Sequence, residues 1–167
     1  MAKIFIPINK LEDWRSLLAD PEKQWKSEFS AKALAYCWIE ADDFPMSIKK
    51  AFSNSDNGPF KEIEILCAFP EYSNELGLDE ADVQEIRYQL LHRTASAIIE
   101  AKRFNASKAM MLVHSFSQQH EWFDDYSSFA SLFGIEAILG KVHFVKKIND
   151  VDLHLAWITG EKKYLSK

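Results

Sequence analysis

The chain has 167 residues with a net charge of −5, 47% hydrophobic and 27% charged residues, enough for one domain with a core of its own. That composition excludes a disordered chain, and the negative balance argues against a protein that coats nucleic acid by bulk electrostatics. The run at the N-terminus, MAKIFIPINK, is too short for a signal peptide, and no apolar run reaches membrane-spanning length, so the expectation is a soluble cytoplasmic protein. Cys37 and Cys67, the two cysteines, lie in apolar segments with no C-x-x-C spacing and read as reduced core thiols.

In chain order, Lys3 to Ile6 reads as a short strand ended by Pro7. Asn9 with Glu12 has the form of a capping box, opening a helix through Leu11, Trp14, Leu17 and Leu18 that Asp20-Pro21 stops. Ser30 is a second N-cap, before a helix over 31–41 with Leu34, Trp38 and Ala41 on one face. Pro45 suits the first turn of a third helix, to about Phe52. After the loop 54–59, Lys61 to Phe69 alternates apolar and acidic residues as a strand does. Asp79 can cap a long helix to about Phe104, with Asn105 as its exit.

The continuous apolar run Ala109 to Val113 is expected to be a central strand buried on both faces. Trp122 to Phe133 reads as a helix with Gly134 as its C-terminal cap. Two strands, Val142 to Ile148 and Val151 to Thr159, flank a tight Asn149-Asp150 turn. The order β-α-α-α-β-α-β-α-β-β makes residues 1–167 a single α/β domain, a mixed sheet of about five strands with flanking helices, with residues 61–116 as a right-handed βαβ unit.

Glu100-Ala101-Lys102 has the E-x-K spacing of a metal-dependent nuclease. On a strand, both groups would reach one metal; on a helix they stand about 200° apart and cannot. The pattern around them is helical: Leu91, Ala95, Ile98 and Lys102 share one face, and Gln89, Arg93, Ser96, Glu100 and Arg103 form a polar row. The pair is therefore read as helix surface. Arg87, Gln89, His92, Arg93 and Arg103 remain as candidate binding residues for a phosphate backbone or an acidic partner, with solvated charge and local pairing of Glu100 as the plainer explanation.

His114 ends the expected central strand, where α/β sheets often place functional groups, and is a further candidate. With His120 and Asp124 it has the residue types of a weak metal site, without a compact metal signature. Asp124 and Asp125 also suit helix capping. No glycine-rich phosphate loop and no G-x-S-x-G elbow occurs. His143 and His154 are expected to face each other across the terminal hairpin, and the lysines at 141, 146, 147, 162 and 163 form a solvated basic edge. Trp14, Trp25 and Trp38 read as core filling, with a partner interface as the alternative.

The stretches DWRSLLADPEKQW, SAKALAYCW, CAFPEY, IRYQLLHRTASAIIEAKRF, MMLVHSF, WFDDYSSFASLFG and LHLAWITG together resemble a family of uncharacterised bacterial proteins. Its longer members carry, between the PEY and RYQLLHR segments, a middle similar to a PD-(D/E)XK nuclease core, with an Asp-bearing strand and a V-E-G-K strand. Here only residues 73–78 follow Tyr72 before the long helix, and no position matches that Asp, Glu or Lys. The resemblance implies a restriction-endonuclease-like ancestry without its catalytic middle. It also implies that Gln89 and Arg93 hold the place of polar side chains lent to such a site.

The reading that follows is a non-catalytic protein without cofactor that binds a macromolecule, protein or nucleic acid. Loss of a central segment exposes surface that favours a partner or a homo-oligomer. The alternative is a phosphodiester-cleaving enzyme using Mg or Mn around His114 and Asp124.

Overall fold

The structure, a computed structural model, describes residues 10–26, 30–41, 44–56, 58, 76, 78 and 86–167. The expected strands at Lys3 to Ile6 and Lys61 to Phe69, the caps at Asn9 and Asp79, and Cys67 lie outside the described residues. What remains is a mixed α/β arrangement with a three-stranded sheet.

The first helix, α1 (Leu11–Ser16), is entered from Lys10, whose backbone N–H donates to the Asp13 carboxylate at 3.2 Å. Asp13 thus plays the part expected of Glu12, because the cap lies one residue later and the reciprocal acceptor must follow it by three. Asp20 both ends this region and caps a short helix the sequence reading did not foresee, α2 (Pro21–Gln24), by accepting from the Lys23 N–H at 3.2 Å. Proline is favoured there because the first helical N–H needs no partner. Helix α3 (Ser30–Ile39) includes Ser30. Helix α4 (Met46–Ser53) starts after Pro45, whose ψ of 143° is extended.

The long helix α5 (Tyr88–Arg103) begins eight residues later than expected, since Arg87 has ψ 121° and stands outside it. Its exit is as read: Asn105 takes a left-handed φ of 52°, and the Ala106 N–H reaches back to the Ala101 carbonyl at 2.8 Å. After strand β1 (Lys108–Ser115), helix α6 (Phe123–Ser131) closes the same way. Gly134 sits at φ 73° while the Ile135 N–H bonds the Ala130 carbonyl at 3.2 Å. Strands β2 (Val142–Ile148) and β3 (Val151–Thr159) are joined through Asn149 and Asp150, both at positive φ (47° and 66°), which is the two-residue turn whose twist matches a hairpin.

The strand order is β1-β3-β2, with β1 parallel and β2 antiparallel to β3. Among the described strands the middle place belongs to β3, not to the Ala109–Val113 run. In β1 only Ala109 and Met111 are fully buried, whereas β3 is buried at every position from Leu153 to Ile158. Leu153, Leu155 and Trp157 pack on one side with Leu91, Ala95 and Ile98 of α5 and Tyr126, Phe129 and Ala130 of α6. Ala156 and Ile158 pack on the other with Ile48, Ala51 and Phe52 of α4. Burying each such leucine or isoleucine contributes about 2 kcal/mol.

The register also corrects the histidine expectation. His143 pairs with Leu155 and His154 with Phe144, so the two imidazoles point to opposite faces. A bulge between Phe144 and Lys146 then turns Lys146 inward, where its ammonium donates to the Leu76 carbonyl at 2.9 Å and lies 5.4 Å from the Phe133 ring centroid.

A C-terminal 3-10 helix (Lys162–Ser166), also unforeseen, packs Tyr164 with Phe116 and with Ala33 and Cys37 of α3. Cys37 is buried and free, and desolvation leads in pushing its thiol up to about 11, which keeps it protonated and unreactive.

Gly160 lies against the Phe116 ring. A Cβ there would stand 2.4 Å from a ring carbon, and Phe116 is buried on all sides. Gly160→Ala is expected to cost about 1–3 kcal/mol by overpacking, read as a lower urea midpoint with unchanged slope.

Candidate macromolecule-binding face

Helices α5 and α6 meet at their N-terminal ends, and the contact is made by side chains that stay near the surface. The Arg87 guanidinium lies 3.8 Å from the Trp122 ring centroid, and its Nε is ion-paired with the Asp125 carboxylate. This pairing accounts for the late start of α5: Arg87 is held extended, outside the helix it precedes. Next to it the Tyr88 ring stacks on His92, centroids 5.0 Å apart and planes 30° apart, one helical turn along α5. Tyr88 is 68% exposed and Trp122 61% exposed. Gln89 and Arg93 are exposed on the adjoining row, and His92 is half-buried.

Trp122 is held there at a local cost. It occupies the N-cap position of α6 with φ 70° and offers no side-chain cap, and His120 two residues earlier has φ 58°. A non-glycine residue in the left-handed region costs on the order of 1 kcal/mol, and the N-cap favours Asn, Asp, Ser or Gly over a large ring. Burial does not offset this cost, because most of the indole faces solvent.

The remaining polar row of α5 is less open than its pattern suggested. Ser96 is buried and donates to the His92 carbonyl at 2.7 Å. Glu100 is largely covered and pairs with Arg103 at 3.6 Å. Arg103, a candidate of the sequence reading, is thus locally paired and lies at the far end of the helix from Trp122. Glu100 and Lys102 sit on an α-helix, as the rejection of the E-x-K pair required.

His114 is placed elsewhere. It lies among Trp38 (centroids 6.5 Å) and Phe116 (4.8 Å), with Nε2 3.4 Å from the Ser47 hydroxyl. Its Nδ1 is buried with no hydrogen-bond partner among the described residues. Desolvation pushes its pKa down from 6.5 to about 4, so the ring is neutral at pH 7 and a weak base toward Ser47. His120 turns instead to the Thr159 hydroxyl at 3.2 Å, and Asp124 is exposed. Among the described residues no three His, Cys, Asp or Glu side chains are grouped to hold a metal, so His114, His120 and Asp124 do not form a ligand set.

A second polar cluster, unread in the sequence, fastens the loop before Gly58 to β2. The Asp56 carboxylate takes Lys141 at 2.6 Å, His143 Nδ1 at 3.3 Å and the Phe144 N–H at 3.3 Å. His143 Nε2 accepts from the Ile138 N–H at 3.1 Å, so the ring proton sits on Nδ1 and is donated to Asp56. Desolvation raises the Asp56 pKa, but Lys141, His143 and the Phe144 N–H outweigh it and hold the carboxyl below its usual range. Both ring nitrogens of His143 are thus engaged in holding loops. The basic edge is similarly occupied, with Lys147 3.7 Å from Asp152 and Lys163 2.8 Å from Glu161.

A family model described as Domain of unknown function (DUF6946) matches residues 7–76 and 72–162. The chain belongs to this family. No curated protein and no solved structure matches it. For DUF6946 the structure adds a face that sequence reading found only in part. Gln89, His92 and Arg93 were read from the α5 pattern. Tyr88 and Trp122 were missed as exposed groups, although a tryptophan isolated in the polar run SQQHEWFDD was a usable signal. Among the described residues no helix is long and apolar enough to cross a membrane.

The buried histidines make a pH prediction. A depressed histidine pKa means that the unfolded chain binds protons first, so stability is present above about pH 6.5 and is lost as pH falls toward 4. Desolvation leads the lowering at His154 as well, so it adds to the same slope. His114→Phe is expected to flatten part of the decline, with an upper bound of about 3 kcal/mol for His114. Urea midpoints measured across pH 4–7 in both proteins test it.

Proposed function

We propose that the chain is a non-catalytic, macromolecule-binding α/β domain that works through the face made by Arg87, Tyr88, Gln89, His92, Arg93 and Trp122. The observation that carries this is Trp122: a large ring kept exposed on strained backbone, backed on one side by Arg87 and open on the other. Local stability alone favours Asn or Gly at that position. Tyr, Trp and Arg are the residues that anchor interfaces, and a ring already fixed by a neighbour loses little freedom on binding.

The reading includes a restriction-endonuclease-like ancestry and a bacterial, cytoplasmic setting. In its favour, the family match falls into two pieces that meet at residues 72–76, beside the Tyr72 junction. A segment carried there by longer relatives would divide a match in this way. Cys37 is free and buried among the described residues, which fits a reducing compartment. The reading needs no cofactor, and the Mg or Mn alternative around His114 and Asp124 gains no support from a histidine packed among aromatic rings with no grouped ligands among the described residues.

Trp122→Asn separates binding from folding. It supplies a favourable N-cap and a residue that tolerates positive φ, against the loss of one cation–π contact of about 0.5–1 kcal/mol. Its Tm is expected to equal or exceed that of the wild type. In a thermal-shift series, Mg²⁺ or Mn²⁺ alone should leave the wild type unmoved. Single-stranded DNA, double-stranded DNA, RNA or rising chain concentration should move it by several degrees if saturating, and Trp122→Asn should abolish that shift. A shift with Mg²⁺ or Mn²⁺ alone would overturn the non-catalytic reading. A macromolecule-dependent shift that survives Trp122→Asn would overturn the face.

A further inference from the structure

We infer that the occupant of the Trp122 face is a second copy of the chain, joined by a two-fold contact in which Arg93 of α5 on one copy meets the acidic start of α6 on the other. The inference rests on the binding role proposed for this face and names its partner.

Charge supplies the argument. The exposed charged groups of the elements that bound Trp122 include Arg93 on α5, Glu121 just before the indole and Asp124 just after it. None of the three makes an ion pair among the described residues, while Arg87 and Asp125 between them already satisfy each other. Positive charge thus lies on α5 at Arg93, and negative charge around the start of α6 at Glu121 and Asp124. An isologous contact needs this arrangement, because residue i of one copy meets j of the other while j meets i. Two exposed rings of the kind favoured at interface centres, Trp122 and Tyr88, belong to the same two elements.

A polyanion fits less well. Glu121 and Asp124 beside the exposed indole would repel a phosphate backbone that Arg93 attracts. A second copy meets both signs of charge at once. Pre-organisation helps further, since the guanidinium behind Trp122 and the imidazole beneath Tyr88 fix both rings before contact.

The test is sedimentation equilibrium of the whole chain over a broad micromolar range, with circular dichroism to confirm that each variant is folded. The wild type is expected to dimerise and Trp122→Ala to remain monomeric. Arg93→Glu and Asp124→Lys should each weaken the dimer about tenfold, corresponding to roughly 1.4 kcal/mol. An equimolar mixture of the two single variants should recover tighter association than either alone, because like charges no longer meet. A wild type that stays monomeric throughout overturns the inference, as does a dimer indifferent to Trp122→Ala. The parent reading fails separately: a monomer whose Tm still rises with nucleic acid in a Trp122-dependent way keeps the face and loses only the second copy.

Discussion

Everything described rests on one strand being covered on both faces. Strand β3 sends Leu153, Leu155 and Trp157 into the layer built by α5 and α6, and Ala156 and Ile158 into the layer built by α4. Because side chains alternate along a strand, this single segment organises two separate apolar layers, and a shift of one residue would exchange them. The Asn149-Asp150 turn fixes the register on one side and the parallel pairing with β1 continues it on the other. The site follows from the same constraint. Tyr126 and Phe123 pack against Trp157 of β3, with ring centroids 5.5 and 5.7 Å away, which seats the first turn of α6 and so places Trp122 beside Arg87.

Local signals in the sequence were legible where the cause is local. Asn105 and Gly134 were read as helix exits because a residue with positive φ must stand there, and both helices close with the same backward hydrogen bonds. The hairpin was equally clear, since two adjacent residues that tolerate positive φ leave few other conformations. What failed depended on tertiary context. The run Ala109 to Val113 and strand β3 are both apolar, and nothing in composition alone tells which stands in the middle. The start of α5 was misplaced because Arg87 is fixed by Asp125 and Trp122, far away in sequence.

The candidate site divides the same way. Gln89, His92 and Arg93 could be found by helical spacing, because the polar row of an amphipathic helix is a local property. Exposure of Tyr88 could not, since large aromatic rings are on average well buried, and that of Trp122 was signalled only by its polar neighbours. His114 shows the converse. Its residue type and strand-end position pointed to chemistry, but Trp38 and Phe116 enclose it and burial has removed its charge. His143 looked like one half of a cross-strand pair and is instead a fastener between loops, with Ile138 on one nitrogen and Asp56 on the other.

The mixed character of the sheet also sets an order of assembly. Strands β2 and β3 are joined by a two-residue turn, so their pairing closes almost no loop and can form on the timescale of a simple hairpin, about 1–10 μs. The β1–β3 pairing is parallel and must first bring Ser115 back alongside Thr159, past the whole of α6 and β2. Non-local parallel pairing of this kind is slow, because chain entropy is lost before contacts reward it. Until β1 docks, one hydrogen-bonding edge of β3 stands open on a nearly continuous apolar strand. Synthesis that completes β1 before the hairpin emerges therefore shortens the time for which that edge can pair with a neighbouring chain.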